Sequence, residues 1–319
     1  MRYILFLFLS LYTSSNAIAQ INEMTDSDWC NHPYRESLKK LTEIKVQSNW
    51  FKVYRVGRNV IAIVEPYNFE EVISYLILGK NKALLFDTGI GVDAISPVVK
   101  QLTKLPILLL NSHTHFDHIG GNYEFKKILA LKTSYTLKHS KEGWDHDSIK
   151  DEVTKGSLCL QRLPGFDTSY YYIHPFEISR FVKDGDEVDL GERRLKIIAV
   201  PGHTMDAIAL FDKTNGYLWT GDTFYEGPIY LFADGTDLLA YEKSIAILAK
   251  MAPQLKKVFP SHNNPISQPV RLVELKNNFL KMKTGKANPT DAGNNMLLFQ
   301  FQYFGFLIHK NQLVKFRGE

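Results

Sequence analysis

The sequence holds only two cysteines, no long run of one charge and, beyond its first residues, no apolar segment of membrane-spanning length. Each shortage narrows the reading. With 38 Lys and Arg against 34 Asp and Glu the net charge is +4, and no basic stripe interleaved with aromatics is present, so nucleic acid is not the expected partner. Cys30 and Cys159 do not neighbour the histidine-rich stretch near residue 115, which keeps them out of any metal assignment. In an exported chain they either pair, tying the amino-terminal arm to the central part of the chain, or stand as two buried thiols. No glycine-rich linker or short-period repeat divides the 319 residues, and a hydrophobic content of 45% suffices for one large α/β core or two smaller ones.

The first residues set the expected compartment. Met1-Arg2 is followed by an almost wholly apolar Tyr3 to Leu11 and by Ala17-Ile18-Ala19, a signal-peptide pattern with cleavage expected before Gln20. The apolar stretch is shorter than the ~20 residues of a spanning helix. Residues 1–19 are therefore expected to be a leader rather than a stable membrane anchor, and the mature chain to be periplasmic or secreted. Residues 20–50 read as a polar arm to which no chemistry is assigned, and residues 51–319 as the folded domain.

What the chain does have is Asn111-Ser112-His113-Thr114-His115-Phe116-Asp117-His118-Ile119-Gly120-Gly121. It follows Pro106 to Leu110, a short apolar run expected to be a strand buried on both faces. In an extended segment His113, His115 and Asp117 share a face, and a turn permitted by Gly120 and Gly121 would bring His118 to join them. Imidazoles and a carboxylate this dense suit zinc and similar divalent metals, and four ligands so close are better shared by two ions than crowded on one.

Other strands end in the same kind of residue. Ala83 to Phe86 leads to Asp87-Thr88-Gly89, where Asp87 is placed to accept a ligand's free N–H or to act as a turn residue or helix cap. Leu195 to Val200 leads to Pro201-Gly202-His203-Thr204, Tyr217 to Thr220 to Gly221-Asp222, and Lys257 to Pro260 to Ser261-His262. Helices are expected over Val92 to Leu102, Asn122 to Lys127, Asp237 to Lys250 and Val270 to Met282, with a terminal strand over Met296 to Ile308. Residues 132–180, with Trp144 and the aromatics Tyr170, Tyr171, Tyr172 and Phe176, break this rhythm as an insertion, read either as a lid over the site or as a packed excursion or dimer contact.

In order and rough spacing, these five motifs resemble the metallo-β-lactamase superfamily over about residues 51–308. The resemblance implies an α/β fold, an αββα sandwich. It also implies two divalent ions, zinc foremost: His113, His115 and His203 at the first, Asp117, His118 and His262 at the second, and Asp222 bridging both. The other histidines, His32, His139, His146, His174 and His309, are left as ordinary residues. Asp222 sets the chain apart from true class B β-lactamases and is shared with glyoxalase II, the lactonases and acyl-coenzyme A thioesterases. No helical glutathione-binding domain follows His262, while Tyr225 and Glu226-Gly227-Pro228 look most like the thioesterase-like group.

The implied activity is hydrolysis of an ester, thioester or lactone in a small acyl substrate by a hydroxide shared between the ions. Asp117 would orient the nucleophile or carry its proton. Tyr225 would steady the developing oxyanion or, alternatively, pack as an edge aromatic. The competing readings are a β-lactam hydrolase, a mononuclear-iron sulfur oxygenase and a non-catalytic metal-binding module. The oligomeric state is left open.

Overall fold

Short apolar runs rich in branched residues favour strands, and burial on both faces makes them continuous rather than alternating. The computed structural model describes residues 28–318, so the expected leader lies outside the described residues. In Val60–Val64 every residue is buried, yet neighbours serve different layers. Val60, Ala62 and Val64 join Tyr75, Ile77, Leu195, Ile197, Leu210 and Trp219 in a core between two sheets. Ile61 and Ile63 pack on the opposite side with Leu85, Val98, Val99 and Leu109. The second sheet divides in the same way. Leu210 and Trp219 face the shared core, whereas Ala209, Leu218 and Val258 meet Tyr241, Ile245, Leu272 and Phe279 of the helices Leu238–Met251 and Val270–Lys283. Each fully buried side chain of this kind contributes about 1.5–3 kcal/mol. The layers are helix, sheet, sheet, helix, as expected.

Among the described residues the first sheet has eight strands in chain order, from Thr42–Glu43 to Arg180–Val182. The second has five, in the order Lys257–Pro260, Tyr217–Gly221, Ile208–Asp212, Arg194–Ala199, Glu187–Asp189. Parallel pairing aligns the functional ends. Phe86 lies opposite Leu110, so Asp87 and Asn111 leave their strands at one level, and Trp219 opposite Phe259 does the same for Asp222 and His262. The two sheets meet at this edge through Ile208 N–H to Ser112 O (2.8 Å) and Ile73 N–H to Ser261 O (2.7 Å). Gly221 allows the meeting: its φ is +52°, and a Cβ there would lie 2.5 Å from the Ser112 Cβ.

Several elements differ from expectation. The helix expected over Val92 to Leu102 starts at Ser96, with Pro97 in its first turn. Asn122–Glu124 is a single 3-10 turn, because Phe125 is already extended on the way to strand Ile128–Leu131. The terminal strand is a hairpin of Met296–Gln300 and Gly305–His309. It joins Pro228–Leu231 and Thr290–Asp291 in a third sheet, and a helix, Lys310–Arg317, follows it. Within residues 132–180 lie the helix Ser134–Glu142 and a series of short turns, after which the chain re-enters the first sheet at Arg180–Val182. Cys30 and Cys159 form a disulfide across 129 residues. Among the described residues no helix is long and apolar enough to cross a membrane.

Candidate metal centre

The edge where the sheets meet collects the polar residues delivered by the strand ends. His115 sits at the N-cap position of a one-turn helix, Phe116–Ile119, so Asp117 projects from a helix, beside His118, and not from the extended run expected for it. That helix makes the turn. Gly120 keeps a helical conformation (φ −56°), and its lack of a side chain serves close packing instead: a Cβ would lie 2.3 Å from Gly91 N.

Two groups of potential ligand atoms result: His113, His115 and His203, and Asp117, His118, Asp222 and His262. In the first, His115 Nδ1 lies 3.0 Å from His113 Nε2 and 3.1 Å from His203 Nε2. In the second, His118 Nε2 is 2.9 Å from Asp117 Oδ2, and His262 Nε2 is 3.0 Å from Asp222 Oδ2 and 3.4 Å from Asp117 Oδ2. In four of the five rings the opposite nitrogen is occupied. His113 Nδ1 meets Ser112 Oγ (2.9 Å), His118 Nδ1 meets Asp87 Oδ2 (3.1 Å), His203 Nδ1 meets Tyr230 O (2.9 Å) and His262 Nδ1 meets Glu70 O (2.7 Å). Such contacts fix the ring so that the free nitrogen points inward. Asp87 is itself held by the Ser112 N–H (2.6 Å) and the Ser261 hydroxyl (3.1 Å).

The electrostatics fit a cation. Burial, then the neighbouring His118 and His115, hold His113 far below the ordinary imidazole range, and burial and His203 push His115 down to about 3. These rings are neutral and keep their lone pairs. In the second group burial also opposes charge, but Asp222 and Asp117 override it and raise His262 to about 9. Either protons or a metal must therefore balance these carboxylates. His118 Nε2 and Asp222 Oδ1 are buried with no aligned hydrogen bond, although Asp117 Oδ2 lies beside the ring nitrogen, and they face each other at 3.4 Å, as two ligands of one ion would. Imidazole and carboxylate together suit a divalent metal.

Tyr225 requires a correction. Its ring packs 4.9 Å from that of His262, but its hydroxyl donates to Pro228 O (2.6 Å) and accepts the Tyr230 N–H (3.3 Å). The turn leading into strand Pro228–Leu231 uses up the donor that an oxyanion would need.

Several contributors escaped the sequence reading. Asp206 is buried and accepts from the hydroxyls of Thr114 (2.6 Å), Thr204 (2.7 Å) and Thr136 (3.1 Å), joining the loops of His113 and His203 to the helix Ser134–Glu142. Asp206→Ala strands three hydroxyls and is expected to lower the unfolding free energy by about 1–3 kcal/mol. Asp206→Asn should cost much less, and urea unfolding curves separate the two. Trp144 donates to Thr114 O (3.1 Å) and, with Tyr135, lies about 6 Å from the His115 ring, so these two side chains wall one side of the site. His139, taken as ordinary, stacks on Trp144 at 4.4 Å and approaches the Thr114 hydroxyl.

This fold and this donor set belong to one class: the chain is a member of the metallo-beta-lactamase superfamily, whose family model matches residues 68–285, and it is a hydrolase of that superfamily. Its relatives give a finer likeness. It is 25% identical over 249 residues to the acyl-coenzyme A thioesterase MBLAC2 of Gallus gallus, covering 72% of this chain and 87% of the relative. It is 27% identical over 194 residues to a hydroxyacylglutathione hydrolase of Nostoc sp., covering 56% and 62%. Among solved structures, the metallo-beta-lactamase family protein TTHA1429 from Thermus thermophilus shares the fold with a TM-score of 0.54 at 19% identity, over 73% of this chain and 84% of that one.

Proposed function

We propose that the chain is an exported hydrolase that holds two divalent ions, zinc foremost, and cleaves an ester, thioester or lactone carbonyl in a small acyl substrate. The position of Asp222 carries the reading. Its Oδ2 is 3.6 Å from His203 Nε2 and 3.0 Å from His262 Nε2, so one carboxylate reaches both ligand groups. His113, His115 and His203 would hold one ion, Asp117, His118 and His262 the other, and Asp222 both. When bound, such ions supply the Lewis acidity that activates water and polarises an acyl carbonyl.

The chain's own residues supply the remaining chemistry. Asp117, buried within 2.9 Å of His118 Nε2 and 3.4 Å of His262 Nε2, would be placed to take the proton of the attacking water and pass it to the leaving group. Asp87 keeps the His118 ring in register. Trp144, Tyr135 and Phe116 place aromatic surface beside His115, which suits an apolar acyl group. Similarity to an acyl-coenzyme A thioesterase supports that substrate class. Export is supported by the leader pattern of residues 1–19 and by the Cys30–Cys159 disulfide, a bond favoured in oxidising compartments.

Purified protein reconstituted with zinc is expected to bind two ions per chain, to hydrolyse at least one member of a panel of acyl thioesters, aryl esters and lactones, and to lose that activity on chelation. Inertness of the metal-replete protein across the panel, or one iron per chain, would overturn the assignment.

A further inference from the structure

The arm before residue 51 lies outside the family-matched segment, and its sequence carries no recognisable chemistry, yet it reaches the site. Arg35 donates through Nε to Glu71 Oε2 (2.7 Å) and through Nη2 to Asn263 Oδ1 (2.5 Å). The Ser37 hydroxyl donates to Asn264 Oδ1 (2.5 Å). Asn263 and Asn264 directly follow His262, and Glu71 directly follows Glu70, whose carbonyl accepts from His262 Nδ1. One guanidinium therefore ties together the loop that bears His262 and the segment that orients its ring.

The arrangement is built rather than incidental. Glu71 is only 4% exposed in its side chain, against 31% for Arg35, so the guanidinium supplies the charge for a carboxylate buried beside the site. Asn263 adopts a left-handed conformation (φ +66°), and its side-chain amide also donates to Glu226 O (2.8 Å), so the carboxamide is held from both sides. The arm is in turn anchored at its other end. Cys30 is bonded to Cys159, the Trp29 indole N–H donates to Gly156 O (3.0 Å), and Cys159 N–H donates to Tyr67 O (2.9 Å), three residues before Glu70.

We propose that Arg35 is a positioning residue for His262, and that the disulfide-anchored arm thereby sets the affinity of the second metal position while leaving the first untouched. The polar partners of the first group, His113, His115 and His203, come from Ser112, Tyr230 and one another, not from the described part of the arm. The proposal rests on the two-ion reading above. Residues behind a metal ligand typically change affinity by 10–100-fold.

The test is a two-step titration of metal-free full-length protein with zinc, read by calorimetry or by a competing chromophoric chelator. Arg35→Ala is expected to weaken the second step by roughly 10–100-fold with the first step unchanged, and Arg35→Lys, which keeps charge but not the two-pronged geometry, to fall between. Equal weakening of both steps would mean general loosening and would overturn the proposal, as would an unchanged second step. A wild-type protein that takes up a single ion would instead defeat the two-ion reading on which the proposal stands.

Discussion

Asp222→Ala is expected to lower kcat/KM for the best acyl substrate by more than about 100-fold, the upper range for residues that merely support metal ligands. The reasoning is geometric and electrostatic. Asp222 approaches His203, His118 and His262, and among the described residues no other carboxylate pairs with rings of both ligand groups. Its removal leaves three imidazoles at the first position intact, so on the two-ion proposal metal content measured by elemental analysis should fall from two ions per chain toward one. Folding should survive, because Gly221 makes the close approach to Ser112 and the Thr220 hydroxyl still donates to Phe224 O (2.9 Å). A fully active Asp222→Ala variant would refute the shared-carboxylate site.

Replacing both Cys30 and Cys159 by serine is expected to lower the unfolding free energy by about 4 kcal/mol, since the bond closes a loop spanning 129 residues and constrains the unfolded chain. Urea unfolding of the variant and the oxidised wild type reads this directly, provided the metal concentration is identical in both, because an ion bound only by the folded state adds its own stabilisation. A difference below about 1 kcal/mol would show that the loop retains its contacts when unfolded.

The contrast between these two predictions reflects how far the residues spoke for themselves. His113, Asp117, His118, His203, Asp222 and His262 were legible because each is an uncommon, metal-competent residue placed just after a short apolar strand, and parallel pairing then brings such ends to one edge. The sandwich was legible for the same reason, through strands such as Ala83–Phe86 and Lys257–Pro260 whose bounds agree with the apolar runs. Long-range partners were not. Arg35 and Asn263 are 228 residues apart, and no local pattern joins them. Asp206, three residues after His203, reads like a turn residue until Thr114, Thr136 and Thr204 converge on it. Tyr225 misled because its distance from Asp222 places the ring beside His262 but says nothing of the hydroxyl, which the nearby Pro228 carbonyl claims. The hairpin Met296–His309 reads as one strand because Phe301 to Phe304 is as aromatic as its flanks.

The spread of the ligands along the chain has a consequence for metal identity. Under the two-ion proposal, binding both ions would draw on residues from His113 to His262, supplied by both sheets and closed by contacts such as Ile208 to Ser112. An unfinished or unfolded chain thus offers only the His113–His118 fragment, a poor match for either position. Many divalent metals tolerate imidazole and carboxylate, and the order of intrinsic affinities does not single out zinc. On the two-ion proposal, the ions taken up would then depend on what is available where the sheets close, so the place of folding, as much as the ligand set, would select the metal.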